Sequence, residues 1–334
     1  MRQYFATSWP VLCAPASPPR PTFNPKNLEQ ATRNKKQETS FAAYRRALPL
    51  LRIPFSIFLM PIYWFGLSAL PAGAWSGGRA LGVFVVLHLL AYPASNGYNS
   101  FYDRDEGSIG GLKTPPPVTP ELLHLVWLFD GLALAAAWLL SPLFAALLLV
   151  YLLVSKAYSF EGIRLKKYPL LSTAVVVVFQ GAFTFLMTQV GVGASRFFIF
   201  DNSNLLLALV STLFLCGSYP LTQVYQHEED ARRGDHTLSL RLGIRGTFVF
   251  AAISLLVGAG TLALAYAQRE EWRELLLFGT ATLPVVFVFG RWAVQVWRDP
   301  AAADFERTMR LNVVSSLCLS AAFILTLLLR SQLP

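Results

Sequence analysis

The chain has 334 residues, 54% of them hydrophobic and only 14% charged, with a formal net charge of +9. That balance excludes an ordinary soluble domain and points to a polytopic membrane protein. The three cysteines, Cys13, Cys216 and Cys318, lack the spacing of a zinc site and two lie in apolar runs, so they imply neither a disulfide framework nor a metal.

Residues 1–45 are rich in Pro, Asn, Lys, Gln and Ser and have no periodic apolar face. They are expected to form a disordered tail, followed by a membrane domain over 46–334. The tail lacks the compact apolar core and small-residue cleavage site of a signal peptide, so the first span is expected to serve as an uncleaved anchor. Apolar runs then follow near 54–71, 80–102, 120–140, 142–160, 169–191, 204–226, 247–267, 275–297 and 310–329. Each is long enough to cross a hydrocarbon core of about 30 Å as a helix. The third and fourth are separated only at Ser141-Pro142. Continuous runs without alternation exclude a β-barrel. The expected fold is therefore an all-α bundle of nine transmembrane helices.

Positive charge orients the bundle, because Lys and Arg are retained on the cytoplasmic side. With the N-terminus cytoplasmic and the C-terminus outside, 23 of the 28 Lys and Arg fall on the cytoplasmic side. The other side holds Arg79, Arg196, Arg269, Arg273 and Arg330. The net charge thus reflects topology and attraction to anionic lipid, and no nucleic-acid partner is expected.

Two acidic clusters interrupt the apolar pattern, both at cytoplasmic ends of spans. The first runs Asn99-Ser-Phe-Tyr-Asp103-Arg-Asp105-Glu106-Gly107 after span two. The second runs Gln226-His-Glu228-Glu229-Asp230 after span six and continues to Gly234-Asp235-His-Thr-Leu. Asn99 and Asp103 are four residues apart and share one helix face, and Gln226 and Asp230 repeat the spacing. Paired hard oxygen ligands suit Mg²⁺, which is usually completed by phosphate oxygens. Two such pairs facing each other can hold a diphosphate through bridging ions and stabilise it as a leaving group. Lys113, Arg164 and Lys166, with Lys156, Lys167 and Arg52 beside them, supply cations that can bind phosphate oxygens.

These residues resemble the UbiA-type intramembrane prenyltransferase superfamily, over most of residues 50–330. That superfamily has nine helices, an Asn-x-x-x-Asp-x-x-x-Asp motif after the second and an Asp-x-x-x-Asp motif after the sixth. Asn99 and Asp103 match the first two positions of the first motif, and Asp230 the second position of the second. Gly234-Asp-His-Thr-Leu-Ser-Leu-Arg-Leu-Gly243, and Tyr158-Ser159 with Arg164-Leu-Lys166, look like segments of the quinone-prenylating members. The chain departs from the pattern at Gly107 and Gln226, where the motifs carry acids. Asp105, Glu106, Glu228, Glu229 and Asp235 are available to compensate, although Asp105 and Glu229 project away from Asp103 and Asp230 on an ideal helix.

The resemblance implies Mg²⁺-dependent transfer of a prenyl group from a polyprenyl diphosphate to a small aromatic acceptor within the lipid bilayer. It places the enzyme in a bacterial inner membrane, its site on the cytoplasmic face. Asn99, Asp103, Gln226 and Asp230 would hold the metal, with Asn99, Asp103 and Asp230 catalytic. Arg52, Lys113, Tyr158, Arg164 and Lys166 would bind the diphosphate. Tyr98, Tyr102, Tyr158 and Tyr225 are candidates to face an allylic cation. The alternatives are a terpene cyclase of the same fold, a transferase of phospho-sugars to polyprenyl carriers, and a non-catalytic prenyl-diphosphate-binding or transport protein. Acids clustered at one face, with no inverted repeat, weigh against transport. Within the spans, Asp130 is a functional candidate because of its cost in lipid. Gln180, Gln223 and Asn312 are expected to hydrogen-bond between helices.

Overall fold

A computed structural model describes residues 40–331. The chain divides between Ala42 and Ala43, and the unit beginning at Ala43 carries the helical bundle. Among the described residues, nine helices are long and apolar enough to cross a membrane. They are α1 (Ala42–Ser68), α2 (Gly77–Asp103), α3 (Pro120–Leu140), α4 (Pro142–Ser159), α5 (Pro169–Gly191), α6 (Asn202–Arg233), α7 (Leu238–Gln268), α8 (Trp272–Arg298) and α9 (Phe305–Arg330). Proline at the first turn starts α3, α4 and α5, where its missing N–H costs nothing. Three of these helices therefore begin where the sequence places them.

The other starts move outward. α1 begins before residue 54 because Leu48–Leu51 and Ile53–Leu59 continue it as 3₁₀ turns on either side of Arg52, which is left-handed (φ 47°). Residues 40–45, assigned to the tail from sequence, lie in the helix Ser40–Ala47. The rest of that tail, with Cys13, lies outside the described residues. α7 starts at Leu238 because the Thr237 hydroxyl accepts from the Leu240 N–H, and the helix then kinks at Gly243 (φ 70°, ψ 171°). α6 breaks over Thr222–Gln226 and resumes as His227–Arg233.

Consecutive helices pack against each other, and α9 closes the ring onto α1. α2 is central, with 56% of its most apolar window buried, whereas α8 has only 11% buried and presents its flank outward. Two helices depart from α geometry near the middle of the bundle. Val85–Ala91 of α2 and Phe179–Phe183 of α5 are π-helical, a form often found at functional sites. Gly181 sits in the second, where an added Cβ would come 2.8 Å from the Thr212 backbone, and the Thr212 hydroxyl accepts from the Ala182 N–H.

The two ends of the ring differ chemically. At one end, arginines close helix termini: Arg79 donates to Gly191 and Leu140 carbonyls, Arg269 to that of Ala69, and Arg330 to that of Ser68. At the other end gather the acidic clusters and the loops between α2 and α3, α4 and α5, and α8 and α9. Between the ends, several buried polar groups are paired. The Asp130 carboxylate meets the Lys156 ammonium at 2.5 Å, which in turn lies over the Tyr98 and Trp127 rings. Gln189 donates to Asn204 and to the Gly66 carbonyl, both at 3.0 Å. Gln189→Leu is expected to cost about 1 kcal/mol, in line with interhelical hydrogen bonds in membranes. Thermal unfolding in detergent measures it, and an unchanged midpoint would contradict the expectation.

Candidate active site

A cavity of about 300 Å³ opens at the acidic end of the bundle and is lined from α1, α2, α4, α5, α6 and α9 and the loops between them. The π-helical segments help shape it, since Phe179 and Gln180 lie on its wall and Tyr92 directly follows the segment in α2. Along α2, Tyr92, Asn96, Asn99 and Asp103 reach it, spaced so that they form one helical stripe. Along α6 the contributors are Tyr219, Gln223, Gln226 and Asp230. The two motifs, far apart in sequence, thus meet in one space.

Lys166 is the charge centre of the cavity. Its buried ammonium lies 2.8 Å from an Asp103 oxygen and 2.7 Å from an Asp235 oxygen. It is placed there by the short 3₁₀ turn Leu165–Lys167, which follows a left-handed Arg164 (φ 44°). Burial works against the ammonium charge, but Asp103 and Asp235 outweigh it and hold the Lys166 proton more firmly than usual. Arg164 grips Asp235 with two hydrogen bonds, 3.1 and 3.0 Å. Burial alone would raise the Asp235 pKa, yet the bonds from Arg164 and Lys166 keep its carboxyl below the usual carboxylate range. The Asp230 carboxylate accepts only a long bond of 3.4 Å, from Thr237, among the hydrogen bonds of the described residues.

Of the residues singled out from sequence, Asn99, Asp103, Gln226, Asp230, Arg52, Tyr158 and Lys166 line the cavity. Asn99 accepts from the Ser159 hydroxyl. Arg52 donates to the carbonyls of Asn96 (3.2 Å) and Gly110 (3.4 Å), which fixes its guanidinium against the wall. Tyr158 shares a 2.7 Å hydrogen bond with Tyr219. Arg164 stands behind Asp235 and does not line the cavity. Lys113 is placed elsewhere, in an exposed pair with Glu306 at 2.6 Å. Tyr225 lines the cavity, whereas Tyr98 and Tyr102 pack on each other outside it. Asp130 belongs to its pair with Lys156, and Gln180, Gln223 and Asn312 face the cavity.

Two expectations from ideal helix geometry need correction. α2 ends at Asp103 because Arg104 turns left-handed (φ 49°), so the ideal helix does not extend to Asp105, which lines the cavity. Gln226 and Asp230 do not share a continuous helix: Gln226 is the N-cap residue of the short helix His227–Arg233. The aromatic wall formed by Tyr92, Tyr151 and Tyr219 was missed, although the stripes 92-96-99-103 and 219-223-226-230 carried its signal.

Asp103, Asp105, Asp230, Asn99 and Gln226 are the oxygen donors available to a hard cation. Among the described residues, no three His, Cys, Asp or Glu side chains form a metal-ligand cluster. The donors therefore fit an ion held by one or two carboxylates and completed by oxygens of a ligand. Burial, followed by the Asp103 charge, pushes the Asp105 carboxyl from its ordinary 3.8 up to about 6. With a raised folded value, its stabilising contribution is full below about pH 3.8 and is lost as pH rises through about 6. Metal-free wild type is therefore expected to melt at progressively lower temperature across that window. Asp105→Asn is expected to flatten the slope; an identical slope in the variant would contradict it.

A family model described as the UbiA prenyltransferase family matches residues 58–314. The chain belongs to this family. Solved structures agree on the fold. A UbiA homolog from Archaeoglobus fulgidus bound to DMAPP and Mg²⁺ superposes with a TM-score of 0.63 at 17% identity, covering 86% of this chain and 100% of that one. The same organism's homolog bound to GPP and Mg²⁺ gives 0.61 at 17% identity, over 84% and 99%. A UbiA homolog from Aeropyrum pernix K1 gives 0.58 at 16%, over 82% and 98%. No curated protein matches the sequence significantly. Membership in the UbiA family identifies an integral membrane protein of the prenyltransferase class and sharpens the interest of Gly107 and Gln226.

Proposed function

We propose that the protein transfers a prenyl group from a polyprenyl diphosphate to a small aromatic acceptor, with Mg²⁺ at the mouth of the cavity. The observation that carries this reading is the meeting of Asp103 and Asp230 in one cavity whose charge centre is Lys166 and whose walls turn aromatic and apolar further in. Solved homologs bound to GPP or DMAPP together with Mg²⁺ support it.

Bound Mg²⁺ would neutralise the diphosphate and stabilise it as it leaves. Asp103 and Asp230, with the amides of Asn99 and Gln226, would hold the ions from the two motif helices. Lys166 and Arg52 would face the phosphate oxygens, and Tyr158 would donate its hydroxyl to them. Arg164 acts through Asp235, keeping Lys166 in place, and the exposed Lys113 is left out of the contact set. When the allylic C–O bond breaks, the electron pair leaves with the diphosphate. Tyr158, Tyr219 and Tyr225, which line the cavity, would stabilise the resulting cation. The acceptor ring supplies the electron pair for the new C–C bond and then loses a proton. Because the acidic end coincides with the Lys- and Arg-rich loops, the site faces the cytoplasm, with the N-terminus on the same side.

The test is product analysis by mass spectrometry, using purified protein, geranylgeranyl diphosphate and a panel of hydroxylated aromatic acids. A prenylated acceptor formed only with Mg²⁺ supports the reading. A cyclised hydrocarbon formed without acceptor replaces it with a cyclase.

A further inference from the structure

The departures at Gly107 and Gln226 have a common structural counterpart. Five consecutive residues of the loop after α2 are held by three side chains of the second motif region. Arg233 donates to the Arg104 carbonyl (2.7 Å) and pairs with the Asp105 carboxylate (3.3 Å). Glu229 accepts from the backbone N–H of Glu106 (3.0 Å) through one oxygen and from that of Gly107 (3.2 Å) through the other. Gln226 donates its amide to the Ser108 carbonyl (3.1 Å). Glu229 is itself buried and is bound by Arg233 at 2.9 Å. Residues 226, 229 and 233 follow one another at spacings of three and four, so one side of the turn and short helix His227–Arg233 grips the loop.

Both replacements suit this grip. A Cβ at position 107 would lie 2.5 Å from the Glu229 carboxylate oxygen that accepts from the Gly107 N–H, so that oxygen would have to shift and its bond would loosen. Aspartate at 226 has no N–H to give to the Ser108 carbonyl. The loop carries Asp105, which the grip holds on the rim of the cavity beside Asp103.

We propose that Glu229 is a positioning residue, and that Gly107 and Gln226 trade two metal-facing acids for a clasp that fixes residues 104–108 and presents Asp105 as the compensating acid. The proposal builds on the prenyl-diphosphate reading of the site. The clasp predicts that restoring the family's acids harms this protein.

The experiment compares wild type with Glu229→Ala, Glu229→Gln, Gly107→Asp and Gln226→Asp in nanodiscs. It uses two readouts, hydrogen exchange of the 104–108 amides and Mn²⁺ affinity in the presence of a non-reactive geranyl thiodiphosphate. Glu229→Ala is expected to lose amide protection at 106 and 107, Gly107→Asp at 107, and both to weaken Mn²⁺ binding about 10–100-fold, as supporting partners of metal sites do. Glu229→Gln, which keeps an acceptor, and Gln226→Asp, which releases the Ser108 carbonyl but leaves the Glu229 contacts with 106 and 107 in place, should fall between. Tighter Mn²⁺ binding by Gly107→Asp or Gln226→Asp would overturn the proposal, as would unchanged exchange in Glu229→Ala. If the wild type binds no thiodiphosphate, the functional reading fails, while exchange at 106 and 107 still decides whether the clasp exists.

Discussion

Asp230→Ala and Asp103→Ala are each expected to reduce diphosphate release by about 10²–10³-fold, the scale on which a directly engaged electrostatic group acts at a reacting centre. Asp230 is the cleaner probe. The only hydrogen bond of its side chain among the described residues is the long one from Thr237, so truncation leaves no strongly bound partner stranded. Asp103→Ala removes one of two carboxylates on Lys166, which keeps Asp235 at 2.7 Å. Thermal unfolding should therefore move little for Asp230→Ala and somewhat more for Asp103→Ala, while turnover falls steeply in both. Near wild-type turnover in a folded Asp230→Ala would remove the second motif from the chemistry.

Lys166→Met is expected to act on stability as well as on activity. The ammonium is buried with Asp103 on one side and Asp235 on the other. Removing it strands a buried Asp103 carboxylate, whereas Asp235 retains its two bonds to Arg164. Breaking a buried ion pair from one side costs about 3–5 kcal/mol. Adding Asp103→Asn to Lys166→Met should recover much of that loss without restoring activity, because the stranded charge is gone but the ligand is too. The measurement is thermal unfolding of the two variants beside wild type. Equal destabilisation of the single and double variants would show that the ammonium is not compensating Asp103.

Much of this was legible in the sequence because the determinants are local. Spans announce themselves by unbroken apolar length, and prolines 120, 142 and 169 mark starts that the helices keep. Asn99 and Asp103 share a helix that runs uninterrupted to its end, so their spacing predicted their convergence. Legibility fails where the backbone leaves its ideal path. Arg104 ends α2 one residue after Asp103, and with that turn Asp105 joins the cavity rim. The break at Thr222–Gln226 likewise frees the turn that lets Glu229 reach the loop amides, a pairing across two distant segments that no periodicity encodes. Lys113 shows the converse limit. A positive loop residue looks the same in sequence whether it faces a phosphate or, as here, an exposed glutamate.

The most direct test of the central claim is diphosphate release by purified protein in nanodiscs, given geranylgeranyl diphosphate and the aromatic panel. It is run with and without Mg²⁺, beside Asp230→Ala. The account predicts release that requires both Mg²⁺ and an acceptor and is lost in the variant. No release by folded wild type that also fails to bind prenyl diphosphate would contradict it.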